Sequence, residues 1–387
     1  MNYKNCHICN GFLLKLDGFP SLFQVTSDCR PWRAGGKLSV CQDCGAVQKP
    51  VDKEWLQETD RIYAGYQIYG QSAGAEQSTF DQSTGMSESR SQKIVQWLAS
   101  NYTLLKTGKL LDVGCGNGAF LKAFGTHYPG WQMNGLELDD RNRRVIEMIP
   151  GVDSLHVGRV ESLKKLFDLI VLIHSLEHIP NPICFFKSIT KRLNPGGLLL
   201  IEVPNLETSP FDILIADHCT HFTENILKWV VESSGLQTVT ITSDFVPKEL
   251  SLLSKCHEYN GSQNVEIHKE KQIIRKHSNE NGAKLAKSNI AWLQDLLQKG
   301  KEIEGEVGIF GTSISATWLA ASLGDKVSFF VDEDERRVGR THLNRPILNP
   351  HAVPPNSNIL LPMRSDIALA IANRLEKINS KFIIPIS

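Results

Sequence analysis

The segment LLDVGCGNGAFLKAF, Leu110 to Phe124, constrains the fold more than any other part of this chain. A short apolar run, three glycines at alternate positions and an amphipathic run predict a strand, a tight loop and a helix. Gly114, Gly116 and Gly118 let the backbone turn sharply and come close to a ligand, and the N-terminus of the following helix presents free N–H groups. Glu137, in GLELDD, sits where a second strand should end, and an acid there can grip both hydroxyls of a ribose. Gly114, Gly116 and Ala119 also satisfy the G-x-G-x-x-G/A spacing of dinucleotide sites. The loop and the acid alone therefore leave both NAD and S-adenosylmethionine (SAM) open.

The rest of the chain sets the frame for that loop. Its 387 residues suggest two or three domains at about 100–200 residues each. Residues 1–85 hold paired cysteines and a polar Tyr/Gln/Ser/Gly stretch. Residues 86–246 alternate short apolar runs with amphipathic ones, the pattern of an α/β core with a parallel sheet. Residues 247–301 (KELSLLSK, HKEKQIIRKH, NIAWLQDLLQKG) read as a helical connector. Residues 302–387 repeat the strand–loop–helix–strand pattern as VGIF, GTSISATWLAASL and VSFFVDEDE, a second Rossmann-like unit. With 42 basic against 42 acidic side chains there is no basic field to hold a nucleic acid. No apolar run is long enough for a membrane helix. The start, MNYKNCHICNG, lacks the pattern of a secretory signal. Nine cysteines, four of them in two tight pairs, match thiol usage in a reducing compartment. A cytoplasmic protein with no nucleic-acid or membrane partner is expected, its oligomeric state open.

Cys6 and Cys9 form one CxxC, Cys41 and Cys44 another. Two such turns supply four thiolates, the tetrahedral set that zinc prefers. A closed four-sulfur site leaves no open coordination position, so the expected Zn2+ is structural and contributes to the folding of the N-terminal region. His7 and Cys29 lie outside the pairing.

The segments beyond the glycine loop separate the two nucleotide readings. FDLIVLIHSLEHIPNP (Phe167 to Pro182) is an apolar strand ending in a His-rich turn, followed by the amphipathic ICFFKSITKRL and by NPGGLLLIEVPN (Asn194 to Asn205). Asp112 before the loop, Glu137, the turn from His174 to Pro182 and Pro195 to Gly197 together resemble the class I SAM-dependent methyltransferases, over about 110–245. The resemblance implies a Rossmann-like methyltransferase core that binds SAM. It places Gly114, Cys115 and Gly116 against the methionine moiety, Glu137 and the adjoining Leu138 at the ribose, Val160 beside adenine and His174 at the methionyl end, and it counts Asp112 among the cofactor-binding residues.

With a zinc region before the core and a Rossmann-like third after it, the chain resembles the sugar C-methyltransferases of deoxysugar biosynthesis. Those enzymes methylate the carbon beside the ketone of a nucleotide-linked 4-keto-deoxysugar, and carry a Tyr-His-Glu-His-x-x-Tyr-Phe-Ser segment. Here the corresponding IADHCTHFT runs from Ile215 to Thr223. His218 matches the second His, which implies the base; Asp217 stands for the Glu; His178 matches a strand-four His. Ile215, Ala216 and His221 depart from the family pattern. The expected catalytic set is His218 as base, oriented by Asp217, with His178 holding the substrate's oxygen. A nucleotide-linked sugar is the expected partner. Methyl transfer to oxygen or nitrogen of a glycan or small metabolite, and more distantly an NAD-dependent oxidoreductase, stay open.

Two further features carry weaker expectations. Tyr63 reads as a helix residue packed on the core; the polar stretch after Tyr69 reads as a lid, and the resemblance implies that Tyr69 reaches the cofactor. In the C-terminal unit only Gly308 and Gly311 remain of a glycine loop, with Ser313 and Ser315 further along and Asp332 after the next strand. This predicts a Rossmann-type fold whose own dinucleotide site has decayed.

Overall fold

The computed structural model describes residues 5–67, 76, 78–80, 87–246, 248–256 and 264–385, with the side chains of 78–80, 87–88 and 264–280 excepted. The centre is a seven-stranded sheet. Its strands run, edge to edge, Val152–Val157, Gln132–Glu137, Lys109–Val113, Phe167–Ile173, Leu193–Pro204, Glu249–Cys256 and Leu236–Thr242. The first five are mutually parallel, and Glu249–Cys256 runs antiparallel between its two neighbours. The expected α/β fold with a Rossmann-like core is the observed one.

The Glu249–Cys256 strand corrects the helical reading of KELSLLSK. Leu250 and Leu252 join the hydrophobic cluster on one face of the sheet and Leu253 the cluster on the other. A strand covered on both faces loses its apolar–polar alternation, so its pattern cannot be told from a buried helix by periodicity. The later connector segments do form a helix, Asn264–Glu302.

The sheet places its loops for function. The glycine loop leaves the carboxyl end of Lys109–Val113, the central strand of the parallel five, beside the His-rich turn that ends Phe167–Ile173. Ligands of open α/β sheets bind at this edge, where strand order reverses. Each His-bearing segment then enters a capped helix. Asn181 accepts the amide of Cys184 at 3.1 Å ahead of Pro182, and Thr223 accepts that of Ile226 at 3.4 Å. Such caps contribute about 1 kcal/mol each and fix where the preceding loop ends.

The N-terminal sheet is antiparallel, in the order Leu13–Lys15, Ser39–Cys41, Val47–Gln48 and Thr220–His221. Its last strand thus comes from the segment that carries His218. A Cβ on Gly282 of the long helix would meet the carbonyl oxygen of Gly45, so that helix crosses directly over the second CxxC turn. The C-terminal unit is a six-stranded sheet with Val307–Phe310 at its centre and the Ile314–Leu323 helix after it. It shares one apolar cluster with the N-terminal region (Phe19, Leu22, Val40) and the long helix (Ile290, Leu293). No helix among the described residues is long and apolar enough to cross a membrane.

Candidate active site

The donor side is built around the glycine loop. Gly114, Gly116 and Gly118 take φ of 76°, 60° and 81°, values that favour glycine. The amide of Gly116 donates to Glu137 Oε1 at 2.6 Å, tying the loop to the acid that ends the second strand. A Cβ on Gly114 would lie 2.8 Å from Cβ of Ser175, whose buried hydroxyl has no hydrogen-bond partner among the described residues. The loop is therefore a cradle with an orphaned polar atom beside it, and SAM fits such a site. Asp112 is buried behind it; burial, Glu137 and Glu76 push its pKa up to about 8. Cys115 packs its sulfur against Gly135, Val160 is buried in the turn after the third strand, and Leu138 stands exposed beside Glu137. Tyr69 lies outside the described residues.

His174 opens the strand-four turn at φ 50°. Its Nδ1 lies 3.2 Å from Glu177 and its Nε2 3.3 Å from Glu249. Burial and Arg90 oppose a charged imidazole there, but the two carboxylates prevail and carry its pKa to about 10. Beside the glycine cradle, then, lies an imidazole whose charged form its two carboxylate neighbours favour.

The acceptor side collects residues that the sequence holds far apart. His218 donates from Nδ1 to Asp212 Oδ1 at 2.7 Å, and His221 from its Nδ1 to Asp212 Oδ2 at 2.6 Å. Nδ1 of His178 lies 3.1 Å from both the Asp217 carbonyl and the Tyr63 hydroxyl. Since carboxylates and carbonyls only accept, the neutral forms of His218 and His178 keep their proton on Nδ1 and a lone pair on Nε2. The two rings meet edge to face with centroids 4.6 Å apart. A Glu177 oxygen and one ring nitrogen from each of these two histidines lie within 4.8 Å of one another.

The orienting partner of His218 is Asp212, not the adjacent Asp217, which corrects the sequence expectation. Asp217 instead accepts from the amide and hydroxyl of Ser27, at 2.9 and 2.5 Å, and faces Nδ1 of His178 at 3.4 Å. The 3-10 turn Pro210–Leu214 folds Asp212 back under His218, a reversal that adjacency in the chain does not show. Glu177 and Lys49 carry no signal for this site in the sequence, and Tyr63 reads there as a helix residue packed on the core.

Electrostatics sort the histidines. Burial disfavours a charged His218, but its hydrogen bond to Asp212 and the charges of Asp212, Glu177 and Asp217 outweigh it and raise its pKa. Burial and the neighbouring His218 lower that of His178, against Asp217 and Glu177. Burial opposes ionisation of Asp212 as well, yet His221 and His218 hold it well below the usual carboxylate range.

The four paired cysteines converge at a second site, their sulfurs within 4.8 Å of one another. Cys6 and Cys44 are 3.8 Å apart, Cys9 and Cys41 3.4 Å. Zinc–sulfur bonds of about 2.3 Å imply tetrahedral edges of roughly 3.8 Å. Amides of Ile8 and Gly11 point at Cys6 and Cys9 sulfurs from 3.4 Å, as thiolates require. The donor set fits Zn2+.

The sheet order, the glycine cradle and the acid after the second strand define a class I SAM-dependent methyltransferase domain. Residues 86–241 match the family model of a methyltransferase domain. The ubiquinone biosynthesis O-methyltransferase of Idiomarina loihiensis is 29% identical over 136 residues, 32% of this chain and 51% of that protein. Its counterpart in Xanthomonas campestris pv. campestris is 28% identical over 119 residues, 29% and 49% of the two chains. The chain spans about half the length of these curated relatives. Among solved structures, the calicheamicin-biosynthesis methyltransferase CalO1 with S-adenosylhomocysteine (SAH) bound is similar at 18% identity and TM-score 0.36, over 43% of this chain and 54% of that one.

Proposed function

We propose that this protein methylates the carbon beside the ketone of a nucleotide-linked 4-keto-deoxysugar, with His218 as general base. The observation that carries the reading is the buried His218–Asp212 pair, which holds the ring through Nδ1 and leaves a lone pair on Nε2 of the neutral imidazole. SAM supplies an activated methyl group when bound in the Gly114–Gly116 cradle, with Glu137 at its ribose. Nε2 of His218 takes the proton from the acceptor carbon, and the C–H electron pair passes into the enolate. Asp212 steadies the imidazolium that results. Base catalysis of this kind contributes roughly 10²–10⁴ in rate.

His178, an acceptor at Nε2 in its neutral form, suits a hydroxyl of the sugar better than the ketone oxygen. Tyr63 keeps a hydroxyl proton to donate to the enolate oxygen, because His178 donates to the Asp217 carbonyl. Zinc at the four cysteines has a structural role in this scheme: it holds the sheet whose last strand follows His218. A second reading, transfer to a hydroxyl oxygen, is favoured by the O-methyltransferase names of the curated relatives; the same base would take the hydroxyl proton.

Incubation with SAH and a panel of nucleotide-linked 4-keto-6-deoxysugars in D₂O tests the choice by mass spectrometry. Enzyme-dependent uptake of one deuterium, lost in His218→Ala, supports carbon chemistry. No uptake across the panel by protein that binds SAH overturns it and moves the reading to a hydroxyl acceptor.

A further inference from the structure

Lys49 is a buried cation inside the acceptor site that the reaction scheme leaves without a task. It follows the Val47–Gln48 strand of the N-terminal sheet and is 2% exposed. Its amide donates to the carbonyl of Cys219 at 3.0 Å, and its Nζ donates to the carbonyl of Ile215. These two carbonyls bracket His218, so one residue of the N-terminal region holds both ends of the arch that carries the base. The ring of Phe19 covers the ammonium, its centroid 5.9 Å from Nζ. Enclosing an ammonium here is costly unless its charge is compensated.

The compensation comes from the catalytic groups themselves. Asp212 and Asp217 face Lys49 with their charges, and Cys219 lies beside it. The same carboxylates, with Glu177, face His218, and His178 adjoins it from the strand-four turn. The charge of Lys49 also acts on His221, the other imidazole on Asp212. The enclosure thus holds three carboxylates against His178, His218, His221 and one ammonium.

We propose that Lys49 is a positioning residue for the base: it fixes the Ile215–Cys219 arch and offsets the charge of Asp212 and Asp217, so that His218 can give up its proton near neutrality. The inference rests on the reading of His218 as base. Without the ammonium, the carboxylates stabilise the imidazolium more strongly and the base is blocked at higher pH. Burial draws Lys49's own pKa down to about 7 against the pull of Asp212 and Asp217, so its charge is present through the acid side of neutrality.

The test follows the His218 ring by NMR in histidine-labelled, SAH-bound protein, its signal assigned by loss in His218→Asn. In Lys49→Met the ring should titrate about one pH unit higher. The acid limb of kcat should move with it, lowering kcat below the limb roughly tenfold, while acceptor KM and SAH affinity hold. Lys49→Arg should restore the wild-type titration. If Lys49→Met does not fold, Lys49→Gln, which keeps a polar end without the charge, carries the same expectation. A His218 titration unchanged in a folded, uncharged variant overturns the proposal. The NMR readout needs no acceptor, so failure of the deuterium assay in wild type would fall on the base assignment and not on Lys49.

Discussion

Asp212 accepts the Nδ1 proton of His218 across 2.7 Å from a position six residues earlier in the chain, both side chains buried. In the proposed reaction the pair works as an orienter and a base, and the first consequence concerns the orienter. Asp212→Asn should lower kcat on the order of 10²–10³-fold, because an amide neither fixes the tautomer nor supports the imidazolium. SAH affinity by calorimetry should stay near wild type. Equal losses in binding and turnover would make Asp212 a residue of the fold alone.

The pH dependence follows from the raised pKa of His218. The base must be unprotonated, so deuterium exchange should rise with pH through a limb above about 6.5, the ordinary histidine value. In Asp212→Asn, residual exchange should show that limb at lower pH. A pH-independent rate between 5 and 8 would count against His218 as base.

His174 makes a stability prediction with the same sign. Its folded pKa of about 10 lies above its unfolded value, so its contribution is complete below about 6.5 and is lost as pH rises toward 10. Thermal melts should show Tm falling across that window in wild type, with a shallower fall in His174→Gln. Parallel slopes would remove His174 from the account.

Gly114→Ala tests the cradle. The new Cβ meets Ser175 at 2.8 Å on a backbone with φ 76°, a conformation that costs about 1–2 kcal/mol for a residue with a side chain. SAH affinity should fall by roughly tenfold or more, with the far-ultraviolet spectrum retained. Wild-type affinity would show that the loop does not approach the ligand.

Metal removal should reach His218 through the shared sheet. Thr220 and His221 pair with Gln48 and Val47, and His7 hydrogen-bonds Thr220 at 2.7 Å. Titrating the cysteines with a mercurial should release about one zinc per chain and speed amide exchange over residues 216–222, while SAH still binds. Protection unchanged in that segment would uncouple the metal from the base.

The donor side was legible because its chemistry is local. A strand, three glycines, a helix and an acid after the next strand occur in chain order, and the backbone conformations they need exclude most other residues. The cysteine pairs were legible for the same reason: each CxxC turn is complete within four positions. The acceptor side was only half legible. His178 and His218 stand out, but adjacency points to Asp217 as the acid for His218, whereas the 3-10 turn at Pro210–Leu214 brings Asp212 to the ring. KELSLLSK reads as a helix because burial on both faces erases the strand period.

From its sequence alone this chain determines an α/β nucleotide-binding core, a four-cysteine cluster and a histidine-bearing segment, each specified by short-range backbone and side-chain requirements. Tertiary structure decides which acid serves which histidine, that the His218 segment completes the N-terminal sheet, and that Lys49 lies beneath it. Those relations join residues as far apart as Ser27 and Asp217 or Lys49 and Ile215. Such pairings arise only when separate elements pack and must satisfy one another's buried polar groups, and no local pattern records that requirement.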